Sequence, residues 1–279
     1  MSWRIRHLPG NNKALIDRSN YPKDCVLLNP SGTTEVIYIR CIEHFNTHEI
    51  NHIMLYDGAL KLIKCPMHLL VDNANLFKGI EDLRIVSHKG KTWFTATSTH
   101  ATDNMNNEML LGHFNAALTE VEYLIPLKDI SPRPVKNICP FVRDGELYLF
   151  DCYRSRIYTA DGTLAKTFTW PSSQKPLRGS TSPIHLHGNT WGFIAHDIIF
   201  NDNTRLVTRL SYIHHWVEID MERGAVTFVS TPFWIAHWGI EYVSGLRSAG
   251  PTNIELFFGI NDQIPMMCTT TLDNLRIGK

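Results

Sequence analysis

The chain has 279 residues, of which 43% are hydrophobic and 19% charged, so it carries enough apolar material for a large folded core. Lysine plus arginine and aspartate plus glutamate number 27 each, and this zero formal net charge argues against a dedicated nucleic-acid-binding protein. No segment has the roughly 20 apolar residues that a membrane-spanning helix needs.

The cysteines and the N-terminal segment indicate the compartment. No two of the six cysteines have CxxC spacing, so the pattern predicts neither a zinc knuckle nor a redox motif. The first residues, MSWRIRHLPGNN, lack an apolar signal core. We therefore expect a soluble cytoplasmic protein with free thiols at Cys25, Cys41, Cys65, Cys139, Cys152 and Cys268.

Short runs of aromatic and β-branched residues follow one another along the chain, and this pattern predicts strands. Between them lie Asp-Gly, Gly-Asn and Lys-Gly pairs, which tolerate the positive φ angles of tight hairpins. The predicted strands include EVIYIRCI, KTWFTAT, VEYLI, ELYLFDCY, NTWGFIAHDII and IELFFGI. The predicted turns are His88–Lys91, Arg143–Glu146, Ala160–Thr163 and His187–Thr190.

The strands recur at a spacing that suits four-stranded units of roughly 40–50 residues. Five such units fit the chain, and a five-bladed β-propeller would close them around a central channel. A β-sandwich is the alternative, but it uses far fewer strands. No linker or change of composition marks a boundary, so we predict one all-β domain over residues 1–279. The units are marked by apolar strands near Tyr38, Phe94, Leu149, Phe193 and Phe257.

One segment, HFNTHEINH, contains the HExxH pattern of zinc peptidases at His48, Glu49 and His52. That chemistry needs a helix, which would place both histidines on one face. The flanking sequences VIYIRCI and HIMLY predict strands instead. We therefore favour ordinary histidines on a strand pair and keep the zinc peptidase as an alternative.

Polar clusters fall where strands begin or end, about once in each predicted unit. A single arginine at a strand end more often caps carbonyl groups or faces water than binds a ligand. Converging at one axis, however, several cations around one carboxylate would suit a phosphate-plus-sugar site. The candidates are Arg40, Asp82, Arg84, Lys136, Asn137, Arg178, His196, His214 and Asp262.

The order of these motifs resembles the five-bladed propellers of the β-mannoside phosphorylases, glycoside hydrolase family 130, and related glycosyltransferases. The segment Gly79–Arg84, GIEDLR, is similar to that family's Gly-x-Glu-Asp-Pro-Arg motif, with Leu83 in place of proline. The resemblance continues in VKNICPFVRDGELYLFD, in LRGSTSPIHLHGNTWGFIAHD and in the last two units. The N-terminal Arg-Asn signature of the phosphorylases is only weakly echoed in YIRCIEHFNTHE.

The resemblance implies that Asp82 is the single catalytic carboxylate and that Glu81 faces away. It implies phosphate or sugar contacts for Arg40, Arg84, Lys136, Asn137, Arg178, His196, His214 and Asp262. We expect an inverting glycosyltransferase that uses a nucleotide sugar and a glycan acceptor, without a metal or other cofactor. A further likeness to virus-encoded β-xylosyltransferases of this size implies UDP-xylose as a donor. Trp191 and Trp238 are candidates for stacking on the sugar.

Besides the zinc peptidase, two other functions remain open. A glycoside phosphorylase acting on β-mannosides would use the same carboxylate as an acid and the same cations for inorganic phosphate. A non-catalytic propeller could bind glycans or proteins through the same face. The sequence does not give the oligomeric state.

Overall fold

The computed structural model describes most of the chain and shows that it is built almost wholly from strands. The described residues are 6–15, 25–33, 36–45, 48–57, 62–68, 81–99, 107–118, 120–127, 130, 136–201, 209–236, 239–261 and 264–277. Asp262 and Trp238 lie outside them.

Twenty-three strands are found in the described residues. In chain order they are β1 Arg6–His7, β2 Asn11–Ala14, β3 Cys25–Gly32, β4 Val36–Phe45, β5 His48–Asp57, β6 Leu62–His68, β7 Glu81–His88, β8 Lys91–Thr99, β9 Asn107–Phe114, β10 Val121–Pro126, β11 Cys139–Arg143, β12 Glu146–Asp151, β13 Arg156–Thr159, β14 Leu164–Thr167, β15 Arg178–Gly179, β16 Ile184–His187, β17 Thr190–Asn201, β18 Arg209–Asp220, β19 Ala225–Val229, β20 Phe233–Trp234, β21 Glu241–Ser248, β22 Asn253–Ile260 and β23 Ile264–Thr271.

These strands form five sheets, which is the number of units predicted from the sequence. Sheet I has the order β3-β4-β5-β6, sheet II β10-β9-β8-β7 and sheet III β11-β12-β13-β14. Sheet IV runs β1-β20-β18-β17-β15, with β16 paired to β17 and β19 to β18. Sheet V has the order β2-β23-β22-β21, so a strand from the N-terminal segment completes the C-terminal sheet.

Neighbouring sheets contact each other in a closed cycle. Strand β3 contacts β7, β7 contacts β11, β21 contacts β3, and β16, β17 and β18 contact β21. Sheets III and IV meet through Phe150 and Phe193, whose ring centroids are 4.7 Å apart. The contacting strands β3, β7, β11 and β21 therefore lie towards the middle of the cycle, as in a β-propeller.

The apolar core lies between the sheets, in clusters that each bridge two neighbours. The five residues that marked the predicted units are all fully buried, and each lies in a different sheet, in β4, β8, β12, β17 or β22. They are Tyr38, Phe94, Leu149, Phe193 and Phe257.

The predicted turns are confirmed. Strands β7 and β8 join through Lys89 and Gly90, and β11 and β12 through Asp144 and Gly145, with positive φ at all four residues. Gly162 and Gly188 occupy the turns before β14 and β17 with φ of 89° and 50°. Strand β10 confirms that VEYLI is extended.

The HExxH segment lies in β5, which pairs antiparallel with β4 over its whole length. The helix that a zinc peptidase needs is therefore absent from this segment, and the strand prediction is confirmed. The three cysteines whose side chains the structure describes, Cys139, Cys152 and Cys268, are free thiols. The one helix among the described residues, α1 Leu272–Leu275, is too short to cross a membrane.

Candidate functional site

Asp82 lies on an irregularity at the start of β7. Glu81 pairs with Thr97 and Arg84 with Thr95, so Asp82 and Leu83 share the position opposite Ala96. Such a bulge redirects a side chain at the end of a strand. Asp82 adopts a φ of 54°, in the left-handed region that aspartate tolerates better than most residues. Its side chain is half-buried, whereas Glu81 is only 9% exposed.

The guanidinium group of Arg84 is buried beneath Asp82, with only 2% exposure. Its Nη1 donates to the carbonyl oxygen of Asp82 at 2.9 Å, and its Nε donates to the carbonyl oxygen of Ser180 at 2.8 Å. Its Nη2 donates to the Tyr242 hydroxyl at 3.0 Å. The arginine of the GIEDLR motif therefore ties sheet II to sheets IV and V and fixes the backbone that carries Asp82.

Tyr242, at the start of β21, extends this network towards sheet III. Its hydroxyl donates to Oδ1 of Asn137 at 3.1 Å, and Asn137, like Asp82, has a positive φ, of 62°. Burial raises the pKa of Tyr242 to about 12, although the Arg84 charge acts in the opposite direction. The phenol thus stays protonated at neutral pH and remains a donor to Asn137.

The charge of Arg84 is stabilised by its neighbours. Burial alone lowers the pKa of this guanidinium, but the electrostatic effects of Tyr242, Cys139 and Asp82 raise it above its ordinary value. A buried cation needs such partners because desolvation otherwise costs several kcal/mol.

His196 forms the sheet IV side of this network. Its Nδ1 lies 2.8 Å from Oγ of Ser180, and its ring lies edge-on to Tyr242 with centroids 5.1 Å apart. Burial, followed by the nearby His214 and Arg178, lowers the pKa of His196 well below its ordinary value. His196 is therefore neutral at pH 7. Ser180 is fully buried, so the Ser-His contact supports the structure and is not an exposed nucleophile.

His214 lies directly opposite His196 in the β17–β18 register and is fully buried. Its Nε2 donates to the carbonyl oxygen of Glu241 at 3.0 Å. Burial lowers the pKa of His214 to about 3, so the 3.7 Å approach to the Glu241 carboxylate is not an ion pair at pH 7. That carboxylate instead accepts hydrogen bonds from the backbone N–H groups of Ile235 and Ala236.

Beside the network lies a cavity of about 300 Å³ with three cationic side chains in its wall. Asn137 belongs to both, because its amide accepts from Tyr242 and also lines the cavity. A Cβ on residue 179 would lie 3.0 Å from Cβ of Cys152, so glycine avoids a tight contact at this position. The cavity is lined by Lys136, Asn137, Asp151, Tyr153, Arg154, Arg178 and Gly179.

Among the described residues, this wall contains one carboxylate, and it is already paired. Asp151 is 2% exposed, and its Oδ2 accepts from Nη1 of Arg154 at 3.0 Å. Lys136 and Arg178 are exposed, and neither side chain is hydrogen-bonded or ion-paired to another described residue. The cavity thus offers two open cations to an anionic ligand.

A second, larger cavity, of about 450 Å³, is lined by residues 173–177, which directly precede Arg178 and Gly179 of the smaller cavity. Asp197, Ile213 and His215 line it. These residues alternate with His196 and His214 along β17 and β18, so they face the opposite side of sheet IV. We therefore place the candidate site at the smaller cavity.

The structure places the predicted residues whose side chains it describes in two main environments. Lys136, Asn137 and Arg178 line the cavity, whereas Arg84, His196 and His214 are buried beside it. Arg40 lies in β4, opposite Leu28 and Ile53, but its side chain is outside the description. Trp191, offered above as a sugar-stacking residue, is instead 8% exposed and packs on Phe141 in the core.

Sequence reasoning missed four residues of this region: Tyr153, Arg154, Ser180 and Tyr242. Ser180 and Tyr242 lie in segments covered by the family resemblance, but no role was predicted for them, because their partners come from other sheets. Tyr153 ends the predicted strand ELYLFDCY, but in the structure β12 ends at Asp151, and Tyr153 and Arg154 lie in the turn before β13. The described residues contain no group of three or more His, Cys, Asp or Glu side chains placed to hold a metal ion.

Several solved structures that superpose on this chain are distant from it in sequence. MPT-1, a GDP-Man-dependent mannosyltransferase from Leishmania mexicana, superposes with a TM-score of 0.61 at 13% identity, over 93% of this chain and 90% of that chain. MPT-4, a mannose phosphorylase from the same organism in complex with phosphate ion, gives 0.57 at 14% identity, over 91% and 86%. The GH43_1 enzyme from Xanthomonas citri complexed with xylotriose gives 0.54 at 12% identity, over 94% and 90%.

No family sequence model matches the chain, and no curated protein is similar to it in sequence. At identities this low the structural likeness establishes the fold, an all-β propeller shared with glycan-active enzymes, and confirms that prediction. It does not extend to xylose or UDP-xylose as substrates.

Proposed function

We propose that this protein is an inverting glycosyltransferase that moves a sugar from a nucleotide-sugar donor to a glycan acceptor. One observation carries the proposal: a half-buried carboxylate, Asp82, is held by a buried network next to a cavity with two open cations. A carboxylate that is connected through Arg84, Tyr242 and Asn137 to an anion site suits displacement of a phosphate leaving group.

In the proposed reaction the Asp82 carboxylate takes the proton of an acceptor hydroxyl. The acceptor oxygen forms a bond to the anomeric carbon of the sugar while the bond to the donor diphosphate breaks. The diphosphate leaves with the electron pair, and Lys136 and Arg178 neutralise its charge. Since a single displacement inverts the configuration at the anomeric carbon, one carboxylate suffices.

The buried residues have a supporting role in this proposal. Arg84 does not contact the donor phosphates, because its guanidinium is enclosed and already bonded to Asp82, Ser180 and Tyr242. His196 and His214 likewise lie behind the cavity wall and fix its shape. We propose that Arg40 and Asp262 contribute to substrate binding. UDP-xylose is one proposed donor. We propose that Lys136 and Arg178 replace the divalent cation that many nucleotide-sugar enzymes require.

A glycoside phosphorylase is the second candidate, because a cavity of this size and charge also suits inorganic phosphate. Asp82 would then protonate the glycosidic oxygen, and phosphate would attack the anomeric carbon. The two candidates differ in the leaving group and not in the protein residues, so they are separated by assay. A non-catalytic glycan-binding propeller would give turnover in neither assay.

The test compares Asp82→Asn with Asp144→Asn. Both aspartates have a left-handed φ, of 54° and 52°, and asparagine tolerates it equally well, but Asp144 lies in an exposed hairpin turn. We expect Asp82→Asn to lower turnover roughly 10²-fold or more while the fold is kept, as for other general bases. The substrates are UDP-xylose, GDP-mannose and other nucleotide sugars, and β-mannosides with phosphate.

Chelation is a second arm of the same assay. We expect activity to survive EDTA; complete loss that magnesium or manganese restores would show that a metal neutralises the leaving group. Full activity of folded Asp82→Asn would remove the carboxylate from the mechanism. Release of a sugar phosphate from β-mannosides, with no transfer from nucleotide sugars, would replace the transferase with the phosphorylase.

A further inference from the structure

The candidate site has an exposed aromatic ring at its edge. Tyr153 is 58% exposed, more than any other large hydrophobic side chain of the described residues, and it lines the cationic cavity. A single exposed tyrosine on a protein surface needs no explanation. An exposed ring in the wall of a cavity that also contains two open cations indicates a binding site, because the ring and the charges together can recognise a ligand.

The turn that presents Tyr153 is fixed on both sides. The carboxylate of Asp151 accepts from the backbone N–H of Arg154 at 3.1 Å and from its guanidinium at 3.0 Å. The N–H of Ser155 donates to the carbonyl oxygen of Cys152 at 3.1 Å, and the indole N–H of Trp170 donates to the Ser155 hydroxyl at 3.0 Å. A ring on a fixed turn loses little backbone entropy when a ligand stacks on it.

The charges beside the ring favour an anion. Three cations, Lys136, Arg154 and Arg178, face one carboxylate, Asp151, which is committed to Arg154. The two remaining positive charges match a diphosphate group. A cavity of about 300 Å³ lies at the lower end of the range for small-molecule sites. It can enclose phosphate groups and leave an attached ring system outside, at the level of Tyr153.

We propose that Tyr153 and the cationic cavity form one binding site for a nucleoside diphosphate, with the base stacked on the Tyr153 ring and the diphosphate on Lys136 and Arg178. The inference deepens the proposed function and rests on it, since it assigns the position of the donor nucleotide. Inorganic phosphate has no ring to stack, so Tyr153 would distinguish a nucleotide ligand from free phosphate.

The experiment is calorimetric titration of the full chain with UDP, GDP and inorganic pyrophosphate, which has the diphosphate charge without a nucleoside. Stacking of one base on an aromatic side chain typically changes affinity by about tenfold or more on truncation to alanine. We expect Tyr153→Ala to weaken UDP and GDP binding about tenfold and to leave pyrophosphate binding unchanged. Tyr153→Phe, which keeps the ring, should bind like the unaltered protein.

Tyr123→Ala is the matched control, because Tyr123 is 38% exposed on β10 of sheet II and does not line the cavity. Unchanged UDP affinity in Tyr153→Ala would overturn the stacking, as would an equal loss for UDP and pyrophosphate. Binding of phosphate or pyrophosphate without UDP or GDP would also overturn it. None of these outcomes changes the turnover of Asp82→Asn, so failure here is distinguishable from failure of the proposed function.

Discussion

Two adjacent regions of this protein treat their polar groups in opposite ways. In the buried network, Arg84, Tyr242 and His196 are enclosed and hydrogen-bonded to groups from other sheets. In the cavity, Lys136 and Arg178 are exposed and bond to no described side chain. Asn137 is the one residue that belongs to both. A cation that is hydrogen-bonded within the protein, such as Arg84, supports the site. Cations without such partners among the described residues, Lys136 and Arg178, are available to a ligand.

The comparison changes the part assigned to Arg84. By resemblance alone, the arginine of GIEDLR would bind phosphate. Its burial and its bonds to the carbonyl oxygens of Asp82 and Ser180 favour a role in holding three sheets together instead. Removal of the Arg84 side chain is therefore expected to change the free energy of unfolding more than any other substitution proposed here, and it tests the difference between the two regions.

We expect Arg84→Ala to lower the free energy of unfolding by about 3–5 kcal/mol, the range for breaking a buried charged interaction by removing one partner. Asp82, Ser180 and Tyr242 would each lose a buried partner. Arg84→Lys should recover only part of this loss, because an ammonium group cannot reach in three directions within one plane. Urea unfolding measures all three proteins.

Arg178→Ala is the control for Arg84→Ala, since it removes the same side chain from the open cavity. Should Arg84→Ala cost less than about 1 kcal/mol and weaken phosphate binding, Arg84 would belong with the open cations. The comparison between the two regions would then be wrong.

Much of the fold could be predicted because its signals are local. The hairpins follow from Asp-Gly and Lys-Gly pairs, and the five sheets from apolar strands that recur along the chain. Tyr38 and Phe257, for example, are fully buried in β4 and β22, within the strands predicted from EVIYIRCI and IELFFGI. Trp191 shows the limit of this reasoning, because an aromatic residue in a strand can face the core or the site.

The candidate site was less predictable because its contacts join residues far apart in sequence. Ser180 is 96 residues from Arg84, and Tyr242 is 158 residues from it. No pattern within β7 shows that Arg84 points inward. The family resemblance indicated Asp82, Lys136, Asn137 and Arg178, and their roles stay predictions. Tyr242 lies in a segment covered by the resemblance, but only the folded arrangement shows its contact with Arg84.

A smaller effect sharpens the comparison through pH. His214 has a pKa of about 3, well below its ordinary 6.5, because of burial. Below pH 6.5 the unfolded chain therefore binds a proton that the folded protein does not. The free energy of unfolding should fall as the pH is lowered from 6.5 towards 3, by about 1.4 kcal/mol per pH unit for each such histidine. His196, whose pKa is also lowered, adds to the slope.

Urea unfolding at pH 7, 6 and 5 measures this slope. His214→Gln should show a shallower slope than the unaltered protein, whereas His187→Gln, at an exposed position of β16, should not change it. The difference between these variants removes the contribution of the carboxylates, which is common to both. An unchanged slope in His214→Gln would mean that its ring is protonated in the folded protein and belongs to a polar, hydrated region.

The smallest expected effect tests the open side of the comparison. Arg178 is exposed and makes no hydrogen bond or ion pair with the described side chains, so its removal should change the free energy of unfolding by less than about 0.5 kcal/mol. The same change should weaken the binding of UDP and of pyrophosphate about tenfold, since a charge-assisted hydrogen bond to phosphate is lost. Because the contact is exposed, that tenfold difference should shrink as salt is raised.

Arg223→Ala, in the exposed turn between β18 and β19, is the matched control and should leave both quantities unchanged. Calorimetric titration at low and high salt, with urea unfolding of the same samples, measures both effects. Arg178→Ala that loses stability and keeps its affinity would place Arg178 with the buried network, and the two regions would no longer differ in how they use their cations.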